Sequence, residues 1–159
     1  ITRRSDAHAE AMRHAVAGTE ADEIVIADTI GAANPAAVRA LMDDLVADHG
    51  AERLACHFHD TRAMGLANVY AAVESGVRRF DSSVGGLGGC PFAPGAKGNV
   101  ATEDVVMLCE AMGFDTGVDM PALLAAVATV SELIGTPQGG RAYYWLSKNP
   151  GMNPGKNAA

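Results

Sequence analysis

The chain has 159 residues, 48% of them hydrophobic, and a formal charge of −7; that suffices for one domain with a core, so disorder is not expected over most of its length. The acidic balance argues against nucleic acid as the main partner, because phosphate binding needs an excess of Lys and Arg, although local cations or helix N-termini could still take a small anion. No apolar run approaches the roughly 18 residues of a membrane span, and Cys56, Cys90 and Cys109, an odd set with no CxxC, suggest neither a disulfide framework nor a structural zinc site.

The sequence opens Ile1-Thr2-Arg3-Arg4 without an apolar signal core, so the reading is a cytoplasmic protein, and the lack of an initiator Met hints at a part upstream. Ser5 is placed to cap a helix through about Val16, with Gly18 ending it. Glu23 to Asp28 is a short apolar strand. Asn34-Pro35 starts a helix, an N-cap followed by proline in the first turn, and Val38, Leu41, Met42 and Leu45 repeat at helical spacing until Gly50. Leu54 to His59 is a second strand. Leu66, Val69, Tyr70 and Val73 mark an amphipathic helix that Gly76 ends, and Val77 to Val84 is a third strand. A glycine-rich loop runs from Gly85 to Gly98, and helices follow at about 101–112 and 121–134. The expected organisation is one domain over residues 1–135 and a partly loose tail over 136–159.

Strands alternating with helices mean parallel βα units. Polar residues close each strand: Asp28 the first, His57 and His59 the second, Asp81, Ser82 and Ser83 the third. That fits an α/β fold of the (β/α) barrel kind, whose chemistry gathers at the C-terminal ends of its strands. A complete TIM barrel has eight strands in typically about 250 residues, so the expectation here is a partial one. An open doubly wound sheet stays as the alternative.

Residues two apart in a strand point to one face, so His57 and His59 could aim at a single metal ion; two polar residues at a strand end is the plainer alternative. Asp60 could orient one of the imidazoles, or simply begin the next turn. The loop after the third strand carries more glycine than a connector needs, with Cys90 between glycines and prolines, which suggests a mobile lid bearing a thiol. It is a poor dinucleotide fingerprint, since Pro91 stands where a third glycine belongs. Asn99 reads either as a helix cap or as an oxygen ligand to a hard cation. Glu103, one turn into the next helix, either faces the site or is an ordinary helix-start acid.

Taken in order, Asp28-Thr29-Ile30-Gly31, His57-Phe58-His59-Asp60-Thr61, Asp81-Ser82-Ser83-Val84-Gly85-Gly86-Leu87-Gly88-Gly89-Cys90-Pro91-Phe92 and Gly98-Asn99-Val100-Ala101-Thr102-Glu103-Asp104 closely resemble the 3-hydroxy-3-methylglutaryl-CoA lyase family, metal-dependent TIM-barrel enzymes related to condensing synthases. The similarity runs from about Glu23 to Ile134. The resemblance implies that the chain holds about the last three βα units of the barrel with additional C-terminal helices. It implies that His57, His59 and Asn99 are ligands of Mg²⁺ or Mn²⁺, that His57 is catalytic as well, that Cys90 is the catalytic thiol of a mobile loop, that Asp28 and Glu103 are catalytic acidic groups of the active site, and that Thr29 lies near the substrate carboxylate. The family's first strand supplies an Arg-Asp pair, and no such segment is present.

The implied reaction is cleavage of 3-hydroxy-3-methylglutaryl-CoA (HMG-CoA) to acetoacetate and acetyl-CoA, with an acyl-CoA as the small-molecule partner and a homodimer possible in a full-length parent. Two other readings stay open. One is a synthase of the same superfamily joining an acyl-CoA to a keto acid, which the Gly-Gly-Cys-Pro loop disfavours. The other is a fragment without activity of its own, because three strands cannot close a barrel and leave an edge free for pairing.

Overall fold

The computed structural model describes residues 21–89 and 98–149. The helix expected from Ser5, the thiol-bearing part of the glycine loop with Cys90, and the end of the tail lie outside the described residues.

Three strands, β1 (Ile24–Asp28), β2 (Leu54–Phe58) and β3 (Arg79–Asp81), form one parallel sheet in the order β1-β2-β3. β-Branched and aliphatic residues favour this pleated, half-buried setting. The connections are helical: α1 (Pro35–His49) between β1 and β2, and α2 (Gly65–Glu74) between β2 and β3. After β3 come α3 (Thr102–Ala111), α4 (Met120–Ile134) and α5 (Tyr143–Lys148).

Local signals set the helix ends. The Asn34 side chain accepts from Ala37 N at 3.1 Å with Pro35 in the first turn, and Gly50, at φ 80°, closes α1. Asp119 caps α4 in the same way through Ala122 N at 3.1 Å. On α1, Val38, Met42 and Leu45 are buried at spacings of four and three, one stripe of the helix.

The two faces of the sheet differ. Ile24, Ile26, Leu54, Cys56 and Phe58 pack with Val38, Met42, Leu45, Val69 and Val73 into one core between sheet and helices. Each such aliphatic side chain contributes roughly 1.5–3 kcal/mol by leaving water. The other face carries Val25, Ala27, Ala55, His57, Arg79 and Asp81, of which Ala55 is buried, His57 half-buried and the rest exposed.

The third strand is shorter than the expected 77–84. Val77 N still bonds to Ala72 O at 3.1 Å, completing the turn out of α2. Past Asp81 the chain pairs with the segment before α3: Ser83 N donates to Val100 O at 3.3 Å and Thr102 N to Ser83 O at 2.9 Å. The same segment closes the end of β2, through Val100 N to Phe58 O at 3.0 Å and Asp60 N to Gly98 O at 3.1 Å. Residues 98–101 are therefore laced across the C-terminal ends of β2 and β3.

Residues 136–149 fold back, and α5 buries Leu146. No described helix is long and apolar enough to cross a membrane.

Candidate metal and acyl-CoA site

The register aligns the candidate residues. Ala27 lies beside His57 and His57 beside Asp81 in the parallel ladder, so their side chains share the open face. His57 Nδ1 is hydrogen-bonded to the Asp81 carboxylate. His59 follows with its ring centroid 5.1 Å from that of His57, tilted by 59°.

His59 is buried, and its Nδ1 has no hydrogen-bond partner among the described residues. Burial, reinforced by neighbouring His57, holds its imidazole below the usual histidine range, while Asp28 opposes the shift. The ring is therefore neutral at neutral pH, the form that ligates metals.

His59 and Asn99 form an antiparallel bridge. Asn99 Nδ2 donates to Leu87 O at 2.8 Å, and its Oδ1 is buried without a partner among the described residues. Buried polar atoms are normally satisfied, so two orphans on bridged residues beside a second imidazole suit a bound cation. Two imidazoles and an amide oxygen match a borderline or hard divalent ion that keeps further positions for other ligands. No group of three or more His, Cys, Asp or Glu side chains that could hold a metal occurs among the described residues; the fit rests on the histidine pair and the amide.

The other candidates are placed differently. Asp28 accepts Ala32 N at 2.7 Å and Ala33 N at 3.0 Å, so its two oxygens shape the β1–α1 loop, on which Thr29 is exposed. Asp60 accepts Gly65 N at 2.9 Å at the start of α2, and the carboxylate bonded to His57 is that of Asp81 on the neighbouring strand. Glu103 is fully buried, and its carboxylate accepts Gly85 N at 3.1 Å and Gly140 N at 2.7 Å. It clasps the root of the glycine loop to the folded-back tail.

That tail is the part sequence reasoning missed. Asp104 accepts Arg141 N at 2.7 Å and Ala142 N at 2.9 Å, and Gly139 N donates to Gly85 O at 3.2 Å. Between the glycine loop, Asn99 and residues 138–141 lies a cleft of about 390 Å³ with Asp60 and Arg141 in its wall. Gly88, at φ 102°, lets the loop pass Asn99; a Cβ there would sit 2.7 Å from Nδ2.

The family model described as HMGL-like matches residues 1–130. The chain belongs to the HMGL-like family. Its enzymes are in general metal-dependent. The chain is 49% identical over 115 residues to hydroxymethylglutaryl-CoA lyase YngG of Bacillus subtilis, covering 72% of this chain and 38% of that protein. It is 45% identical over 117 residues to (R)-citramalyl-CoA lyase of Chloroflexus aurantiacus, covering 74% and 37%. An HMG-CoA lyase from Acinetobacter baumannii, solved in complex with coenzyme A and 3-methylmalate, superposes with a TM-score of 0.73 at 45% identity over 83% of this chain and 42% of that one. This HMGL-like chain is thus an α/β, partial TIM barrel, and it spans about two-fifths of the length of the relatives it matches.

Proposed function

We propose that this chain is part of a carbon–carbon lyase whose full-length form cleaves HMG-CoA to acetoacetate and acetyl-CoA, and that residues 1–135 are the C-terminal portion of its barrel with 136–159 as a tail. The observation that carries this is the pair of buried atoms without a partner among the described residues, His59 Nδ1 and Asn99 Oδ1, on bridged residues beside His57. His57, His59 and Asn99 would hold Mg²⁺ or Mn²⁺. A divalent ion bound there supplies Lewis acidity toward the substrate's oxygens.

The chain's own groups divide the remaining work. Thr29, exposed after β1, is suited to meet the substrate carboxylate. Asp28 holds the backbone that presents Thr29 and lies near enough to His59 to raise its proton affinity. A base must take the hydroxyl proton, a role that in the resembled family falls to the aspartate of the Arg-Asp pair, which these 159 residues do not include; the carbon–carbon bond electrons then move onto the thioester as an enolate, and one proton must return to carbon. Cys90, in the glycine-rich segment after β3, is the group proposed to supply it. Glu103 and Asn99 brace the root of that loop through Gly85 and Leu87.

The similarity to (R)-citramalyl-CoA lyase supports the same bond cleavage on another acyl chain as a second reading. With about two-fifths of a relative's length and no Arg-Asp strand, the 159 residues alone are expected to show no turnover. The test is a chimaera joining the first strands of the Bacillus subtilis relative to this chain, assayed on HMG-CoA and citramalyl-CoA side by side. Cleavage of HMG-CoA, lost in Cys90→Ala, is expected. A folded chimaera that binds Mn²⁺ yet leaves HMG-CoA intact overturns the proposal, and preference for citramalyl-CoA favours the second reading.

A further inference from the structure

We infer that Asp81 is a positioning residue for His57: its carboxylate holds the imidazole in one orientation and in the Nδ1–H tautomer, leaving Nε2 as the nitrogen with a free lone pair. The inference rests on the proposed role of His57 as a metal ligand.

The register supplies the first argument. His57 and Asp81 are paired on adjacent parallel strands, so backbone hydrogen bonding alone sets the two side chains next to each other on one face. An ionised carboxylate only accepts, so the hydrogen between it and Nδ1 belongs to the ring. Deprotonated Nε2 then follows for the neutral ring, without any choice made by a ligand.

Elimination supplies the second. Four other acids lie around the strand ends or the segment laced across them, and each is occupied elsewhere. Asp28 takes the amides of Ala32 and Ala33, Asp60 takes Gly65 N, Glu103 takes Gly85 N and Gly140 N, and Asp104 takes Arg141 N and Ala142 N. Of the acids at these strand ends, Asp81 is the one hydrogen-bonded to an imidazole of the candidate site. Its side chain is 61% exposed against 27% for His57, and exposed ion pairs add little to folding stability. A carboxylate with so little to contribute to the fold, aligned on a ring of the candidate site, is accounted for by orienting that ring. Carboxylate–histidine pairs of this kind raise ligand basicity and fix the tautomer.

The test uses the 159-residue chain in two measurements. Long-range ¹⁵N–¹H correlation spectra of the metal-free chain read the His57 tautomer directly; Nδ1–H is expected in the native sequence, with a mixed population in Asp81→Asn. Mn²⁺ titration followed by electron paramagnetic resonance should show affinity falling roughly 10- to 100-fold in Asp81→Asn and partly recovering in Asp81→Glu, with the urea midpoint unmoved. An Nε2–H tautomer in the native chain, or equal Mn²⁺ affinity in all three, overturns the inference while leaving the metal reading intact. Mn²⁺ that fails to broaden the His57 and His59 signals of the native chain overturns the metal reading and this inference together.

Discussion

Asn99 and Leu87 are joined by one hydrogen bond, Nδ2 to the carbonyl oxygen at 2.8 Å. With the amide nitrogen bonded to the glycine loop, the oxygen is left buried and without a partner among the described residues. Asn99 thus links two jobs, bracing the loop and offering an oxygen. Asn99→Ala removes both and is expected to lower Mn²⁺ affinity by about tenfold or more. Asn99→Asp keeps an oxygen but loses the donor to Leu87, so metal should still bind while the loop loosens. Mn²⁺ titration paired with amide hydrogen exchange at Leu87 and Gly88 separates the two effects; equal Mn²⁺ affinity in all three forms would remove Asn99 from the ligand set.

Glu103 accepts two backbone amides from segments far apart in sequence, Gly85 and Gly140. Glu103→Gln keeps the shape but offers one oxygen and one NH₂, so a donor meets a donor at one of the two amides. Leaving a buried amide unpaired costs roughly 1–3 kcal/mol. Urea denaturation should record a loss of that size, and limited proteolysis should cut between residues 136 and 149 more readily. An unchanged midpoint would show that the clasp contributes little.

The strands and first helices were legible because their signals are local and periodic: Ile24, Val25 and Ile26 for a strand, Asn34-Pro35 and the Val38–Met42–Leu45 stripe for a helix. The histidine pair was legible from spacing alone. Two features were not. The tail carries Gly139 and Gly140 and is held by backbone amides that Glu103 and Asp104 accept, an arrangement with no hydrophobic period to read. Asp60 stands next to His59 in sequence and invited the orienting role that Asp81 fills, because strand register, not sequence distance, decides which acid lies beside His57.

Cys56 is fully buried beneath β2, with Sγ 3.6 Å from Met42 Sδ. Burial, with a smaller push from the Asp81 charge, raises its thiol to about 12. It is therefore a packing residue with almost no thiolate at ordinary pH. Iodoacetamide at pH 8 should leave it unmodified in the folded chain and label it in urea, as read by peptide mass spectrometry. Rapid labelling under native conditions would mean that the β2 core opens on the timescale of the reaction.

His59 gives the fold a dependence on pH whose sign is fixed. Burial first, and the neighbouring His57 second, lower its folded value below the ordinary 6.5, so the unfolded chain takes up the proton before the folded one does. Above pH 6.5 both states hold a neutral ring and the residue carries no penalty. As pH falls below that value the unfolded state is stabilised by protonation, and the folded state loses stability until its own lowered value is passed. The slope contributed by one proton is at most about 1.4 kcal/mol per pH unit. Urea midpoints measured from pH 7.5 downward should fall below about pH 6.5, and His59→Gln should flatten that part of the curve. A bound divalent cation competes with the proton for the same ring, so saturating Mn²⁺ is expected to steepen the acid loss by adding ligand release to it. Identical curves for the native chain and His59→Gln would place the acid-sensitive group elsewhere.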